Sequence, residues 1–497
     1  MNDKLNDALN NISDAYIQEA AGRPKRRYPY WFGAVAALLV ISVLVSVLYR
    51  PAISPPTVQG TEPPAVPGPA LPQSPGLLDL ACQVSAAEYP SMAKKPNYED
   101  YGSDHRNGYE ADYAAWLRGQ GEQYGQPDGY GDNLSDFFAA SIPKFLNGEK
   151  NSAYSPLNVY MALAMLAETT DSDSRQQILD LLGAASIETL RQQADHVWNA
   201  HYCADGETAT VLGNSLWLDD SFIFRQDTAD LLAENYYASV FHGDLGSNAL
   251  NKQLQTWLNS QTGGLLTEQA KNVEIAPGTA FTLASTLYFS AAWENEFSMR
   301  MNTDEIFHCA DKDLITEFMH TTLTNYPYFC GSNFSAVGLE LSGRNTMWLI
   351  LPDEGVSVSD VLESDEYLQI TLAPKEWKEK ASCTIHLNLP KFDVTQQQDL
   401  SEGIKELGIT DVFDSTVSDF TSISDTPGMF LNRIDHAVRV AIDEEGCVGA
   451  AFTVMPVAGM PLPKPGEEID FTLDRPFLFV VSSRDDLPLF AGTVCEP

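Results

Sequence analysis

The residues able to do chemistry come first, and as catalysts they form no recognisable set. None of the eight histidines is followed by Glu, so no HExxH zinc motif exists. Gly213-Asn214-Ser215-Leu216-Trp217 begins like a nucleophile elbow but lacks the closing glycine. No GxxxxGK[ST] phosphate loop occurs. Gly119 and Gly121 open a GxGxxG in which Tyr124 occupies the third glycine position. With 68 Asp and Glu in the chain, neighbouring carboxylates carry no information about acid–base work. The seven cysteines (Cys82, Cys203, Cys309, Cys330, Cys383, Cys447, Cys495) make no CxxC pair. Their odd number leaves at least one free unless chains are cross-linked, and a few buried thiols are expected rather than a disulfide framework. No enzyme, cofactor or metal site is expected.

The elements that would hold any site are clearer. From about residue 132 the pattern is globular. DFFAASIPKFL has helical spacing, NVYMALAMLAETT is apolar on nearly every side and should be a buried helix, and SRQQILDLLG is an amphipathic helix closed by Gly183. TVLGNSLWL, FTLASTLYFSAAW, NTMWLILP, CTIHLNLPKFDV, HAVRVAID and FLFVVSS read as strands. Helices followed by strands around one large core predict an α+β domain over 132–497. Residues 77–131, rich in Tyr, Gly, Asp and Glu, show weak periodicity; a short helix is expected to begin near Tyr113–Trp116, in an extension lying against the domain.

The N-terminal part points to a membrane. Tyr30 to Tyr49 is an uncharged run of 20 residues, about 30 Å long as a helix and so matched to a bilayer core. Arg23, Lys25, Arg26 and Arg27 precede it, whereas after Arg50 no basic residue appears until Lys94. The positive-inside rule then predicts a cytoplasmic tail at 1–29, a transmembrane helix at 30–49, and everything beyond outside the cell. Residues 51–76 contain nine prolines and predict a semi-rigid polyproline stalk. The formal net charge of −38 argues against nucleic-acid partners and suits solubility or the steering of basic partners.

Four stretches then resemble the serpin family, in order and at family spacing, across residues 132–497. Tyr154-Ser155-Pro156-Leu157-Asn158-Val159 with MALAML is similar to the start of the family's buried central helix. Thr286-Leu287-Tyr288-Phe289 with Trp293-Glu294 is similar to the strand leading to the tryptophan at the top of the family's large sheet. His436 to Gly446 (HAVRVAIDEEG) resembles the strand running into the reactive-centre loop. FTLDRPFLFVV (471–481) with Pro488-Leu489-Phe490-Ala491-Gly492 resembles the C-terminal signature. The resemblance implies three β-sheets, about nine helices and an exposed reactive-centre loop. It implies a mechanical activity: a protease cleaves the loop, forms an acyl-enzyme, and is distorted as the loop's N-terminal half inserts into the central sheet. The partner implied is a target protease held covalently by a monomer, with no cofactor; the basic helix of the family's heparin-type site has no counterpart here.

The loop can be read residue by residue. After Glu444 and Glu445 the hinge runs Gly446-Cys447-Val448-Gly449-Ala450-Ala451-Phe452-Thr453. As an inserted strand, Cys447, Gly449, Ala451 and Thr453 would face inward, and all are small; Val448, Ala450 and Phe452 would face outward, where bulk fits. No proline or charge interrupts 446–455, so every residue can join the ladder. Gly446 is expected to act as a hinge through backbone angles closed to other residues. The family interval from Glu444 puts the scissile bond at Met460–Pro461, a bond most serine proteases cut poorly. Among Val457, Ala458, Gly459, Met460 and Pro461, the open bonds are Val457–Ala458, Ala458–Gly459 and Gly459–Met460. Small apolar residues there suit elastase-like or subtilisin-like pockets. Two alternatives stand beside this: an inhibitor of cysteine proteases, and a non-inhibitory cell-surface binding module.

The resemblance also implies supporting positions. His436 would be the histidine below the sheet's opening, with Ser155 and Asn158 as hydrogen-bond partners. Ser285 stands where the family has asparagine, which implies a smaller or water-bridged network. Trp293 would sit beneath the loop's point of insertion. The topology and the absence of a eukaryotic-looking signal peptide read as a bacterial surface protein.

Overall fold

The computed structural model describes residues 82–98, 101, 105–276, 278–447 and 468–497. The expected tail, transmembrane helix and stalk lie outside the described residues. Among those described, no helix is long and apolar enough to cross a membrane. The described residues belong to one compact unit.

In chain order the N-terminal half gives β1 (Gln83–Ser85), α1 (His105–Tyr124), α2 (Leu134–Phe145), β2 (Ser152–Tyr154), α3 (Pro156–Thr169), α4 (Ser172–Leu181), α5 (Ile187–His201), β3 (Cys203–Ala204), β4 (Ala209–Asp219), α6 (Gln226–Asn235), β5 (Ala238–Gly243), α7 (Asn248–Gln261), α8 (Thr267–Ala270) and β6 (Phe281–Ala292). The second half gives β7 (Thr303–His308), β8 (Asp313–Cys330), β9 (Phe334–Leu341), β10 (Asn345–Pro352), α9 (Val358–Leu362), α10 (Glu366–Leu372), β11 (Lys380–Pro390), β12 (Phe392–Asp399), α11 (Ser401–Glu406), β13 (Asp435–Ile442), β14 (Gly446–Cys447), β15 (Glu468–Thr472), β16 (Phe477–Ser482) and β17 (Pro488–Val494).

One sheet has the order β1-β5-β4-β6-β14-β13-β12, with β3 added beside β4. Helix α3 lies buried against one face, with every residue except Ala162 out of solvent. That follows from a sequence apolar all round its axis, opened by Pro156 at the first helical position, where a missing N–H costs nothing. The opposite face is covered by α7: Leu250, Leu254 and Trp257 close a smaller core with Trp217 and Phe241 of the sheet. Covered on both faces, β4 is buried from Ala209 to Leu218, and so its sequence does not alternate.

The second sheet, β15-β11-β8-β9-β10-β16-β17-β2 with β7 beside β8, merges two of the three sheets expected. The reason is β8, whose 18 residues pair with β11 along most of their length and with β9 at their end. The stretch expected as the strand CTIHLNLPKFDV is two strands. Pro390 ends β11 in this sheet and Phe392 starts β12 in the other, with Lys391 at the crossing.

Eleven α-helices occur among the described residues, against about nine expected. One is α1, a 20-residue helix where only a short one near Tyr113–Trp116 was expected. Its order comes from aromatic rather than aliphatic pairs: Tyr109 stacks on Tyr113 at 5.6 Å, and Tyr113 tilts against Trp116 at 5.3 Å. Before it, the extension adds β1 to the edge of the first sheet, pairing with β5. Tyr89 then packs against Trp198 (5.2 Å) and Tyr202 (5.6 Å), and its hydroxyl donates to Gln261 Oε1 at 3.1 Å on the last residue of α7. This covers a strand edge that would otherwise present free N–H and C=O groups. Tyr89→Ala should therefore lower the melting temperature of the full chain by roughly 3 °C; an unchanged melting curve would show that the extension adds no stability to the sheet edge.

Candidate functional site

The site is a gap in the first sheet. β14 is only two residues long, and it alone links β6 to β13 among the described residues: Gly446 lies opposite Ala292, while Cys447 lies opposite Ala291 on one side and Ile442 on the other. Below Cys447, β6 and β13 run on without pairing to each other. Cavities flank this gap on both faces of the sheet. One is lined by Leu254, Leu258, Leu266, Thr286 and Ala437 beneath α7. The other is lined by Asn158, Ala162, Leu163, Ser285 and His436 against α3.

The top of the gap is fixed by a dense set of bonds. Asp443 Oδ1 accepts from the backbone N–H of Glu445 (2.9 Å) and Gly446 (3.2 Å), holding a tight turn. Trp293, 4% exposed, donates its indole N–H to Asp443 O at 2.8 Å, its backbone N–H donates to Glu445 O at 3.0 Å, and its ring meets Phe297 edge-on at 5.8 Å. Glu444 is buried and takes bonds from Lys391 Nζ (2.8 Å) and Asn302 Nδ2 (2.5 Å). Burial raises its carboxyl pKa, but the bonds from Lys391, the backbone and Asn302 outweigh that and lower it overall. Lys391 also reaches Glu317 at 2.7 Å, so the residue at the crossing between sheets ties both to the hinge.

Gly446 corrects one expectation. It is not among the described glycines with positive φ. Glycine is required because a Cβ there would stand 2.4 Å from Ala291 O and 2.7 Å from Ala292 Cα. The constraint is close backbone approach inside the sheet, not an unusual backbone angle. Cys447 beside it is 2% exposed, and burial followed by the Asp443 charge pushes its thiol up to about 12. That thiol stays protonated and fills space.

Midway down, the polar side chains form a neutral cluster. His436 Nε2 accepts the backbone N–H of Ser155 at 3.1 Å, while Ser155 Oγ donates to Leu489 O at 2.7 Å. Asn158 turns instead to Ser285: its Nδ2 donates to Ser285 O at 3.4 Å, and its Oδ1 accepts from Ser285 Oγ. Ser285 Oγ also bonds Asn214 Oδ1 at 2.8 Å, and Asn214 Nδ2 donates to Tyr236 O at 2.9 Å. Asn214 was not singled out from sequence. Its signal was an asparagine in the middle of the otherwise apolar run TVLGNSLWL, a position that only a buried, satisfied amide tolerates. So the structure brings Ser155 and His436 together, and separately Asn158 with Ser285, on either side of the gap. Glu444, Glu445, Gly446 and Cys447 cluster with Trp293 at its top. Val448, Gly449, Ala450, Ala451, Phe452 and Thr453, and the scissile region Val457, Ala458, Gly459, Met460 and Pro461, lie outside the described residues. All seven cysteines are unpaired, and Cys203, Cys383, Cys447 and Cys495 are buried.

A buried helix behind a split sheet, with the C-terminal strands packed on a second sheet, defines the fold class. The chain belongs to the serpin family: the family model described as Serpin (serine protease inhibitor) matches residues 133–497. Among its relatives, it is 27% identical to leukocyte elastase inhibitor A of Mus musculus over 73% of this chain and 99% of that one. It is 26% identical to Serpin-ZX of Arabidopsis thaliana over 74% and 97%. Among solved structures, the native state of the thermophilic serpin Tengpin shares its fold with a TM-score of 0.66, 24% identity, 75% of this chain and 95% of that one. Human thyroxine-binding globulin complexed with thyroxine shares it at 0.62, with 20% identity, 76% and 99%.

Burial depresses His436 to a pKa of about 3. The unfolded histidine titrates near 6.5, so above that pH it costs nothing. As pH falls from about 6.5 towards 3, the unfolded chain takes the proton first, and stability drops by up to a few kcal/mol. His436→Gln keeps an acceptor for Ser155 but cannot titrate. Between pH 6.5 and 4 the urea midpoint of the variant should fall less than that of the parent; parallel curves would remove His436 as the titrating group.

Proposed function

We propose that this protein is a suicide-type inhibitor of serine proteases with elastase-like or subtilisin-like specificity, tethered to a cell membrane by residues 30–49 with the serpin domain outside. The observation that carries the reading is the register of β14. Extending its ladder one residue at a time sets Gly449 opposite Val440, Ala451 opposite Val438, and Thr453 between Ser285 and His436. Residues directly opposite in a sheet share a face. His436, Val438, Val440 and Ile442 are the buried residues of β13, so the small residues Cys447, Gly449, Ala451 and Thr453 would meet the α3 side. Phe452 would stand opposite Thr286 and Ala437, both of which line the cavity beneath α7. The one bulky residue of the hinge thus has a space waiting on its face.

The chemistry belongs to the protease. Its serine attacks the carbonyl of a loop residue, the peptide bond breaks, the new amine leaves on the downstream fragment, and an ester joins the serine to the upstream segment. Insertion then has to outrun hydrolysis of that ester. Within the scissile region, Val457–Ala458, Ala458–Gly459 and Gly459–Met460 are the bonds free of proline, and their small apolar side chains match shallow apolar pockets. The mouse relative is named an elastase inhibitor.

Incubation with elastase and with subtilisin tests this. The expected result is a complex that survives SDS and a released C-terminal fragment beginning at Ala458, Gly459 or Met460 by mass spectrometry. Cleavage at that site with no complex would favour a binding module, and a complex formed only with papain-type enzymes would move the target class. Two variants bear on insertion. Gly446→Val puts a branched side chain against Ala291 O and should turn most encounters into simple cleavage. Thr453→Arg would place a charge against the neutral Ser285–His436 cluster, costing several kcal/mol unpaired. It should raise the number of inhibitor molecules consumed per protease at least severalfold. An unchanged stoichiometry in both would rule out insertion in this register.

A further inference from the structure

Two of the cysteines share a place that the loop mechanism does not use. Cys309 follows β7, in the turn that leads to β8, and Cys495 follows β17, two residues from the end of the chain. Both line one cleft, together with Asn151, Asp311, Arg475 and Glu496. The two segments are fastened to each other. Lys312, in the Cys309 turn, pairs with Glu496, the neighbour of Cys495, at 2.8 Å. Asn151 Oδ1 accepts the backbone N–H groups of Cys495 (2.7 Å) and Glu496 (2.9 Å), which fixes the position of the C-terminal thiol. On the other side of the turn, His308 N–H donates to Asp474 O at 2.6 Å.

We propose that Cys309 and Cys495 form a reversible disulfide, made by exchange with a small-molecule disulfide, that ties the β7–β8 turn to the C-terminal segment. The two differ in access in the way an exchange pair requires. Cys309 is partly open and can meet the reagent, whereas Cys495 is 5% exposed and can resolve the bond from within. The Cys309 thiolate attacks the small disulfide and expels one thiol, leaving a mixed disulfide. The Cys495 thiolate then attacks the Cys309 sulfur and expels the second thiol. One disulfide is consumed, two small thiols and one protein disulfide are formed, and the protein loses two protons. Burial first, and then neighbouring negative charge including Glu496, raise both thiols, Cys495 to about 11, so the exchange is slow at neutral pH.

The competing pair fails on register. Cys383 on β11 stands opposite Tyr326 on β8, four residues along that strand from Cys330. That is beyond the span of roughly 4.4–6.8 Å between Cα atoms that a disulfide bridges. Cys82, Cys203 and Cys447 lie in other parts of the fold, against Gln253, against Thr208 and in the sheet gap, whereas the Cys495 thiol donates to Gly148 O at 3.7 Å on the wall of the same cleft, a contact it gives up on bonding Cys309.

The full-length chain, incubated with oxidised glutathione at pH 8.5 and then alkylated and digested without reductant, should yield a peptide pair joined through Cys309 and Cys495 that separates on adding dithiothreitol. The count of free thiols should fall by two for that bond, and by one more as the exposed Cys330 takes up glutathione. In Cys495→Ser the same treatment should leave glutathione attached to Cys309, and Cys330→Ser should behave as the parent does. A parent protein carrying only glutathione on Cys309, or one that pairs Cys330 with Cys383 instead, overturns the proposal. This readout does not depend on protease inhibition, so it stands or falls separately from that function.

Discussion

Everything in this fold turns on an incomplete ladder. β6 pairs with β4 along ten of its residues on one side, yet on the other it meets only Gly446 and Cys447. β13 is in the same position, with β12 along eight residues on one side and Cys447 alone on the other. Inside a sheet each unmatched N–H and C=O carries a free-energy cost that water in a narrow gap repays only in part. The two strands are held apart by what packs on either face, α3 behind and α7 in front, and the cavities on both sides record the space a strand would fill. The sheet is thus complete except for one strand, and the chain that would supply it leaves from its top.

The bonding around the gap is graded to match. At the top, where nothing need move, the contacts are charged and multiply shared: Glu444 with Lys391 and Asn302, Lys391 with Glu317, and Asp443 with two backbone N–H groups. Charge-assisted bonds of this kind are the strong ones. Lower down, where an arriving strand would have to pass, the cluster of Ser155, His436, Asn158, Ser285 and Asn214 contains no charge. Burial keeps His436 neutral. Neutral bonds contribute little net stability each and can exchange partners at low cost, so this cluster seals the closed sheet without locking it. A salt bridge here would demand a desolvation cost from every strand that displaced it.

Much of this was legible in the residues. The buried helix and the main strands follow from pattern alone, because burial on one or both faces writes itself into hydrophobic period; the alternation of small and larger residues after Gly446 lies outside the described residues. What was not legible depended on approach between distant segments. Gly446 reads as a flexible joint in isolation, and only the position of Ala291 O shows that it is a matter of clearance. Helix α1 was masked by glycines and by aromatic pairs that score poorly as an aliphatic stripe. The merging of two sheets rests on the length of β8, which a sequence broken by Asn325 and Pro327 does not announce. His436 meets Ser155 through its backbone N–H, and Asn158 bonds Ser285 rather than His436, pairings that depend on approach between distant segments. Asn214 then completed that side of the cluster.

The lengths of loop and gap agree in a way that bears on mechanism. With Gly446 opposite Ala292, a strand continued in the same register brings Val457 opposite Phe281, the first residue of β6. Twelve loop residues therefore match the twelve of β6, about 40 Å of extended chain. A bond cut much earlier would leave the acylated residue partway down the sheet, with the ladder unfinished below it. On the proposed mechanism, a bond cut at Val457 or just beyond would carry that residue to the far end of β6, with the ladder met along its length except where Pro456, opposite Thr282, has no N–H to give. Between Pro456 and Pro461, the bonds free of proline begin at that point. On the proposed mechanism, the prolines at 456 and 461 would bracket a short window in which cleavage and near-complete insertion coincide, and most of the free energy of closing the ladder would then go into deforming the attached enzyme.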